Sequence, residues 1–351
     1  MNVNELSEPE KHRPVIRWLL CCCGLVFIMI CVGGITRLTH SGLSIVEWQP
    51  IVGTIPPLTE GDWEVVFEKY RATPEYIQVN KGMSLQEFKG IFWWEYGHRL
   101  LGRVIGAAFL IPFLWFIWTR RIQRRDMPKM VGIFILGGLQ GAMGWYMVAS
   151  GLVDDPRVSH LRLTAHLGLA VLIYAAMFWL ALNLKHRGTR RGEGGGEGAH
   201  LKCAVMAMPI LVFCMILSGG LVAGIRAGFA YNTFPLMNGH WIPPEILLLE
   251  PWYLNIMNNM AMVQFNHRML ALVILLLAVS LWFATRSQWK VQRLRHAMRW
   301  LLGLVCLQIG LGITTLLLVV PIPLAALHQA GAILVFTASL ALAHAFRGAT
   351  H

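Results

Sequence analysis

The chain has 351 residues, 56% of them hydrophobic and only 14% charged, with a mean hydropathy of +0.55. A soluble domain carries roughly 25% charged residues. The composition therefore excludes a soluble globular enzyme, a disordered chain and a disulfide scaffold, and leaves a polytopic membrane protein. The formal net charge of +12 would suit nucleic acid, but its distribution along the chain points to membrane topology instead.

Eight apolar stretches reach the roughly 20 residues that cross a bilayer. They are 15–36, 91–118, 131–149, 161–184, 203–223, 260–284, 300–320 and 324–346. All eight predict helices, since a barrel would show short alternating strands, and Pro112 and Pro209 are tolerated inside such helices. The first run is too long for a signal peptide and lacks a cleavage site at Gly33-Gly34-Ile35-Thr36-Arg37. Glu5, Glu8 and Glu10 argue against a mitochondrial presequence, which leaves a bacterial inner membrane. The seven cysteines (Cys21, Cys22, Cys23, Cys31, Cys203, Cys214, Cys306) all fall within spans and read as small buried hydrophobes.

Two of the connections are long. Residues 37–90 contain an amphipathic stretch, Asp62 to Tyr70, and the capping-box pattern Ser84-Leu85-Gln86-Glu87, which predicts the start of the helix running into the second span. Residues 225–259 carry Tyr231-Asn232-Thr233-Phe234-Pro235-Leu236 and Trp241. Such aromatic loops are interfacial anchors or, on a sharper reading, a lid over a cofactor.

Of the 30 Lys and Arg, 19 fall on one side, in the N-terminal segment, the 2–3, 4–5 and 6–7 loops and the C-terminus. The opposite loops hold seven, together with eleven of the 18 acids. The rule that basic loops stay inside puts both termini in the cytoplasm. Residues 187–200, mostly glycine and charge, form a linker. It divides the chain into an N-terminal half, 1–186, and a C-terminal half, 201–351. The halves read as repeats: EYGHRLLGRVIG (95–106) matches QFNHRMLALVIL (264–275), LQGAMG (139–144) matches LQIGLG (307–312), and AHLGLAVLIY (165–174) matches LHQAGAILVF (327–336). Four spans per unit make the repeats parallel, as two four-helix bundles.

Four of the 13 histidines lie inside spans at matched depth toward the outer side: His98, His166, His267 and His328. They form two pairs, one per half. Two imidazoles on facing helices are what six-coordinate haem iron needs. Zinc is the alternative, although no cysteine or carboxylate completes a closed site. Arg99 and Arg268 each follow one of these histidines, and Arg162 precedes His166 by one helical turn. Intramembrane arginines are costly and suit haem propionates. The repeat breaks at one position: three residues before the histidine, the first half has Glu95 and the second Gln264. A carboxylate there sits by the macrocycle edge, or pairs with Arg99 one turn on. The break predicts one chemically active haem site and one inactive site. His12, His186, His200, His240, His296 and His351 lie in tails or loops, His344 is too deep to share a site, and His40 and His160 lie near the outer surface, within reach of a propionate.

Taken together, GGITRLTHSGLSIVEW (33–48), FWWEYGHRLLGR (92–103), QGAMGWYMVASGL (140–152), RLTAHLG (162–168), GGLVAGIRAGFAYNTFPLMNG (219–239), QFNHR (264–268) and LHQ (327–329) resemble the haem A synthase family, in its proteobacterial–mitochondrial branch. The other branch carries cysteine pairs in its outer loops, which are missing here. The resemblance implies eight transmembrane helices in two halves and conversion of haem O to haem A, with one ring methyl oxidised to a formyl group for cytochrome oxidase biogenesis. It implies haem O as substrate between His98 and His166, and haem b as cofactor between His267 and His328. It makes Glu95 catalytic. It also implies the lipid bilayer, haem O synthase and an electron acceptor as partners, no nucleic acid, and haem sites on the periplasmic side. Without it, a dihaem electron carrier and a transporter compete, although the spans lack a transporter's broken helices and mid-membrane acids.

Overall fold

The structure, a computed structural model, describes residues 12–48, 52–153, 156–187, 199–289 and 291–349. Among them are eight helices long and apolar enough to cross a membrane, and no β-strand. We label them α1 (Arg13–Leu38), α2 (Leu85–Trp118), α3 (Met127–Ala149), α4 (His160–Lys185), α5 (Ala199–Gly224), α6 (Met260–Ala284), α7 (Gln292–Leu317) and α8 (Ile322–Ala349). The protein is a multi-pass, all-α membrane protein. The Gly-rich stretch 188–198 of the expected linker, the first 11 residues and His351 lie outside the described residues.

Local chemistry sets the helix ends. At α2 the Ser84 hydroxyl accepts from the Glu87 N–H while the Glu87 carboxylate accepts from the Ser84 N–H at 2.8 Å. This reciprocal cap carries the helix to Leu85, between one and two turns outside the apolar run that begins at 91. Asn259 caps α6 by accepting from the Ala261 N–H at 2.8 Å, and that helix keeps the bounds its hydropathy predicts. In contrast, α7 starts at Gln292 rather than 300. Its first two turns are basic on one side and bury Leu294, Ala297 and Met298 on the other, so a hydropathy window misses an amphipathic start.

At the centre, α4 and α8 pack against each other and each packs against both α1 and α5, with α2 against α1, α3 against α4, α6 against α5 and α7 against α8. Leu19, Val171, Val205, Met208 and Leu342 are fully buried there. Lipid tails are as apolar as these side chains, so close packing and interhelical hydrogen bonds hold the bundle, with little hydrophobic drive. Two such bonds tie the halves together: the Tyr174 and Thr337 hydroxyls meet at 2.8 Å, and the Gln329 amide donates to the Ile30 carbonyl at 2.7 Å.

Outside the bundle the first half carries an aromatic cap. The short helices Glu60–Arg71 and Pro74–Gln78 fold Trp63, Phe67 and Tyr70 onto Phe88 and Phe92 of the extended α2, with ring centroids of Phe67 and Phe88 4.9 Å apart. The second half has a smaller cap over 227–259, tied by buried Asn255, whose side chain bonds Leu249 N–H at 2.9 Å and Leu249 carbonyl at 2.7 Å.

Candidate functional site

All four intramembrane histidines sit on even-numbered helices, and each ring lies against a glycine of an odd-numbered one. A methyl on Gly33 of α1 would stand 3.1 Å from His98 Nε2, and one on Gly144 of α3 would stand 3.1 Å from His166 Cε1. In the second half, Gly219 of α5 and Gly312 of α7 would bring theirs to 3.4 Å from His267 and 2.8 Å from His328. Glycine therefore makes room for His98, His166 and His328, whereas at His267 a methyl would stand at ordinary contact distance. Within each half the two rings lie near each other, His98 near His166 and His267 near His328. Among the described residues no three of His, Cys, Asp or Glu converge, so each pair stands alone. That donor set, two imidazoles and nothing else, fits haem iron and does not fit a closed zinc site.

Three of the four rings are held from behind. The Gln140 amide donates to the His166 carbonyl at 3.1 Å and faces its Nδ1 at 3.2 Å. Gln308 treats His328 in the same way, at 2.7 and 3.1 Å. His267 Nδ1 meets the Ser218 hydroxyl at 3.2 Å. A ligand histidine usually passes its other ring N–H to such a partner, which fixes tautomer and orientation. Both glutamines leave Oε1 buried without a partner.

The residues beside the first ligand of each half differ. Glu95 is 2% exposed, and its Oε2 accepts from the Ser44 hydroxyl and the Ile45 N–H, both at 2.8 Å. Its Oε1 pairs with Arg99 at 2.7 Å, and that arginine also donates to the carbonyls of Ile45 and Glu47 at 2.7 and 2.8 Å. Gln264, 3% exposed, instead donates from Nε2 to the Tyr231 carbonyl at 2.8 Å. Arg268 collects further carbonyls of that loop, Thr233 at 2.8 Å and Tyr231 at 3.1 Å. Both arginines thus fasten an outer loop onto the helix that carries the histidine. Among the described residues Arg162 has fewer partners, one bond to the Tyr146 carbonyl at 2.8 Å and its guanidinium 3.8 Å from the centre of the Tyr146 ring.

Sequence reasoning missed the glycines, Gln140, Gln308, Ser44 and a cationic group at the outer mouth. There Arg226 reaches His40 Nδ1 at 3.2 Å. Burial and then the charges of Arg226 and Arg37 push the His40 imidazole below its ordinary value. The glutamines had a signal, since polar residues recur at one register of the repeated segments 139–144 and 307–312. His160 Nε2 is buried without a partner, while His344 lies at the far end of the bundle beside Arg293 and Asn183.

Comparison with known proteins gives the family. The family described as cytochrome oxidase assembly protein matches residues 16–340. A heme A synthase of Nitrosospira multiformis is 58% identical over 336 residues, covering 96% of this chain and 94% of its own. Those of Nitrosomonas eutropha and Paramagnetospirillum magneticum are 56% and 51% identical, covering 94% and 95% of this chain and 93% and 94% of their own. Two imidazole pairs in a membrane bundle and near full-length similarity to these enzymes lead to one conclusion: the chain belongs to the haem A synthase family of cytochrome oxidase assembly proteins.

Proposed function

We propose that this chain converts haem O to haem A by oxidising one ring methyl to a formyl group. The N-terminal half, 1–186, takes haem O between His98 and His166. The C-terminal half, 201–351, holds haem b between His267 and His328, and 187–200 links them as parallel repeats. Haem b, when bound, supplies one-electron transfer. The observation that carries the reading is the difference between buried Glu95 and buried Gln264 beside otherwise matched histidines.

In this reading Gly33 and Gly144 leave room for two rings to face one iron, and Gln140 sets the orientation of His166. Glu95 lies one turn from His98 and outside the ligand set. There it acts on the macrocycle edge as a general base, or stabilises positive charge developing there. Ser44, Ile45 and Arg99 hold its two oxygens in place. Arg162, which among the described residues donates only to the Tyr146 carbonyl, takes a propionate together with the outer cations Arg37 and Arg226. Arg99 and Arg268 contribute through the loops they fasten. The basic ends of the bundle face the cytoplasm of a bacterial inner membrane, and the haem sites lie toward the periplasm, where haem O synthase and an electron acceptor are partners.

The test is Glu95→Gln, followed by chromatography of haems extracted from membranes. The variant should still bind haem in both halves while haem A falls to a few per cent or less and haem O or a partly oxidised product accumulates. Near wild-type haem A would reduce Glu95 to a partner of Arg99, and loss of all haem would make it structural. Haem b alone in the unmutated protein would favour an electron carrier.

A further inference from the structure

The end of the bundle remote from the histidines has two basic corners. In one, Arg187 pairs with Asp126 at 2.6 Å and Lys129 approaches the same carboxylate at 3.5 Å, so the chain supplies its own anion. The other corner lies between α4, α7 and α8 and has no acidic side chain among the described residues. A cavity of about 480 Å³ opens there, rimmed by Lys185, His186, Arg293 and His296 and walled by alanines of α8. A second, of about 460 Å³, adjoins it along α7, sharing His296, Trp300 and Leu304. Among the described residues no acidic side chain lines either one. The guanidinium of Arg293 meets an imidazole, His344, at 3.2 Å rather than a carboxylate. Burial and then the charges of Arg293 and Lys185 push the His186 imidazole below its ordinary value, so the local field is positive.

From the rim the groove descends along α7 to Leu304, about 16 Å of helix and one leaflet deep. Its walls are hydrocarbon, and Trp300, 68% exposed, stands at the boundary. A cationic rim above an apolar slot is the complement of an amphiphile with an anionic head. Basic pockets between membrane helices bind such headgroups.

We propose that this groove is a binding site for one anionic phospholipid, with its phosphate between Lys185, Arg293 and His296 and one acyl chain along Leu304 and Leu334. The lipid supplies the anion that Asp126 supplies at the other corner, and it fills the space between α4, α7 and α8. The site is independent of the haem chemistry.

Full-length, haem-loaded protein is examined by native mass spectrometry with phosphatidylglycerol or with phosphatidylcholine of the same chains, and by thermal melting with each lipid or with inorganic phosphate. Phosphatidylglycerol should remain bound at one copy and raise the melting temperature, while phosphatidylcholine and phosphate should do neither. Lys185→Gln with Arg293→Gln should weaken phosphatidylglycerol retention at least tenfold with the haem absorbance unchanged. Should that pair fail to fold, Lys185→Gln alone should weaken it several-fold. Equal retention of both lipids, equal stabilisation by inorganic phosphate, undiminished retention by the folded variants, or a second copy of the chain covering the groove would each overturn the proposal.

Discussion

Residues 13–185 and 199–349 place a glutamate and a glutamine at the same register, yet the backbone that each one faces is reversed. Glu95 accepts from the Ile45 N–H, whereas Gln264 donates to the Tyr231 carbonyl. Each outer loop presents the group that its helix can satisfy, so the substitution between halves is built into the loops as well as the helices. Arg99 and Arg268 are the shared part, each gathering loop carbonyls. Two similar frameworks thus hold one site with a buried carboxylate and one without.

The largest expected effect separates the halves outright. In protein made by a host lacking haem O, His267→Ala should abolish the low-spin b-type absorbance and lower the yield, since bound haem stabilises the fold by mass action. His98→Ala should leave that absorbance in place. Next comes the polarity of the loops. Gln264→Glu would bury a carboxylate against the Tyr231 carbonyl and should cost about 2–4 kcal/mol, read as a lower melting temperature. If it proves neutral, the loops are more adaptable than the contrast with Glu95 requires.

Smaller effects test where the halves should agree and where they should not. Gln140→Leu and Gln308→Leu remove equivalent supports and should each weaken haem retention about 10- to 100-fold, measured as transfer to excess apomyoglobin. A strong effect in only one half would end their equivalence. The smallest effect concerns the caps. Glu75, 5% exposed, shares a hydrogen bond of 3.3 Å with the Tyr70 hydroxyl, and burial raises its carboxyl from 4.5 to about 7. The folded cap therefore holds this proton more tightly than the unfolded chain does. Below pH 4.5 both states are protonated and nothing is lost; the penalty grows between pH 4.5 and 7 and is complete above 7. Glu75→Gln should stabilise residues 60–92 by about 1–2 kcal/mol at pH 8 and by nothing at pH 4.5, read by hydrogen exchange. The second cap, tied by Asn255 and Asn259, should show no such pH dependence.

Much of this arrangement is legible in one dimension. Hydropathy finds eight helices because the bilayer demands length and apolarity from each span separately, and intramembrane histidines stand out because polar residues there are costly. The break at Glu95 needs only an internal alignment. The glycines against the rings are another matter. Gly144 and His166 lie on different helices, and their close approach is a property of packing that no local pattern encodes. Arg99 and Arg268 read as propionate partners because sequence shows a charge in a span but hides the loop carbonyls folded over it. The basic start of α7 fails a hydropathy test for a related reason, since one face is buried while the other stays polar.

Gly33 and Gly34 are neighbours on α1, yet a methyl on the first would press on His98 of one half and a methyl on the second would press on the Gln329 amide, next in sequence to His328 of the other. At this level one helix, α1, thus touches both neighbourhoods, and at these two positions it carries no side chain. One interhelical hydrogen bond, from the Gln329 amide to the Ile30 carbonyl at 2.7 Å, also ties α1 to the helix that carries His328. This shared helix makes the two sites poor at keeping secrets from each other: any change that bends α1 at this point alters both.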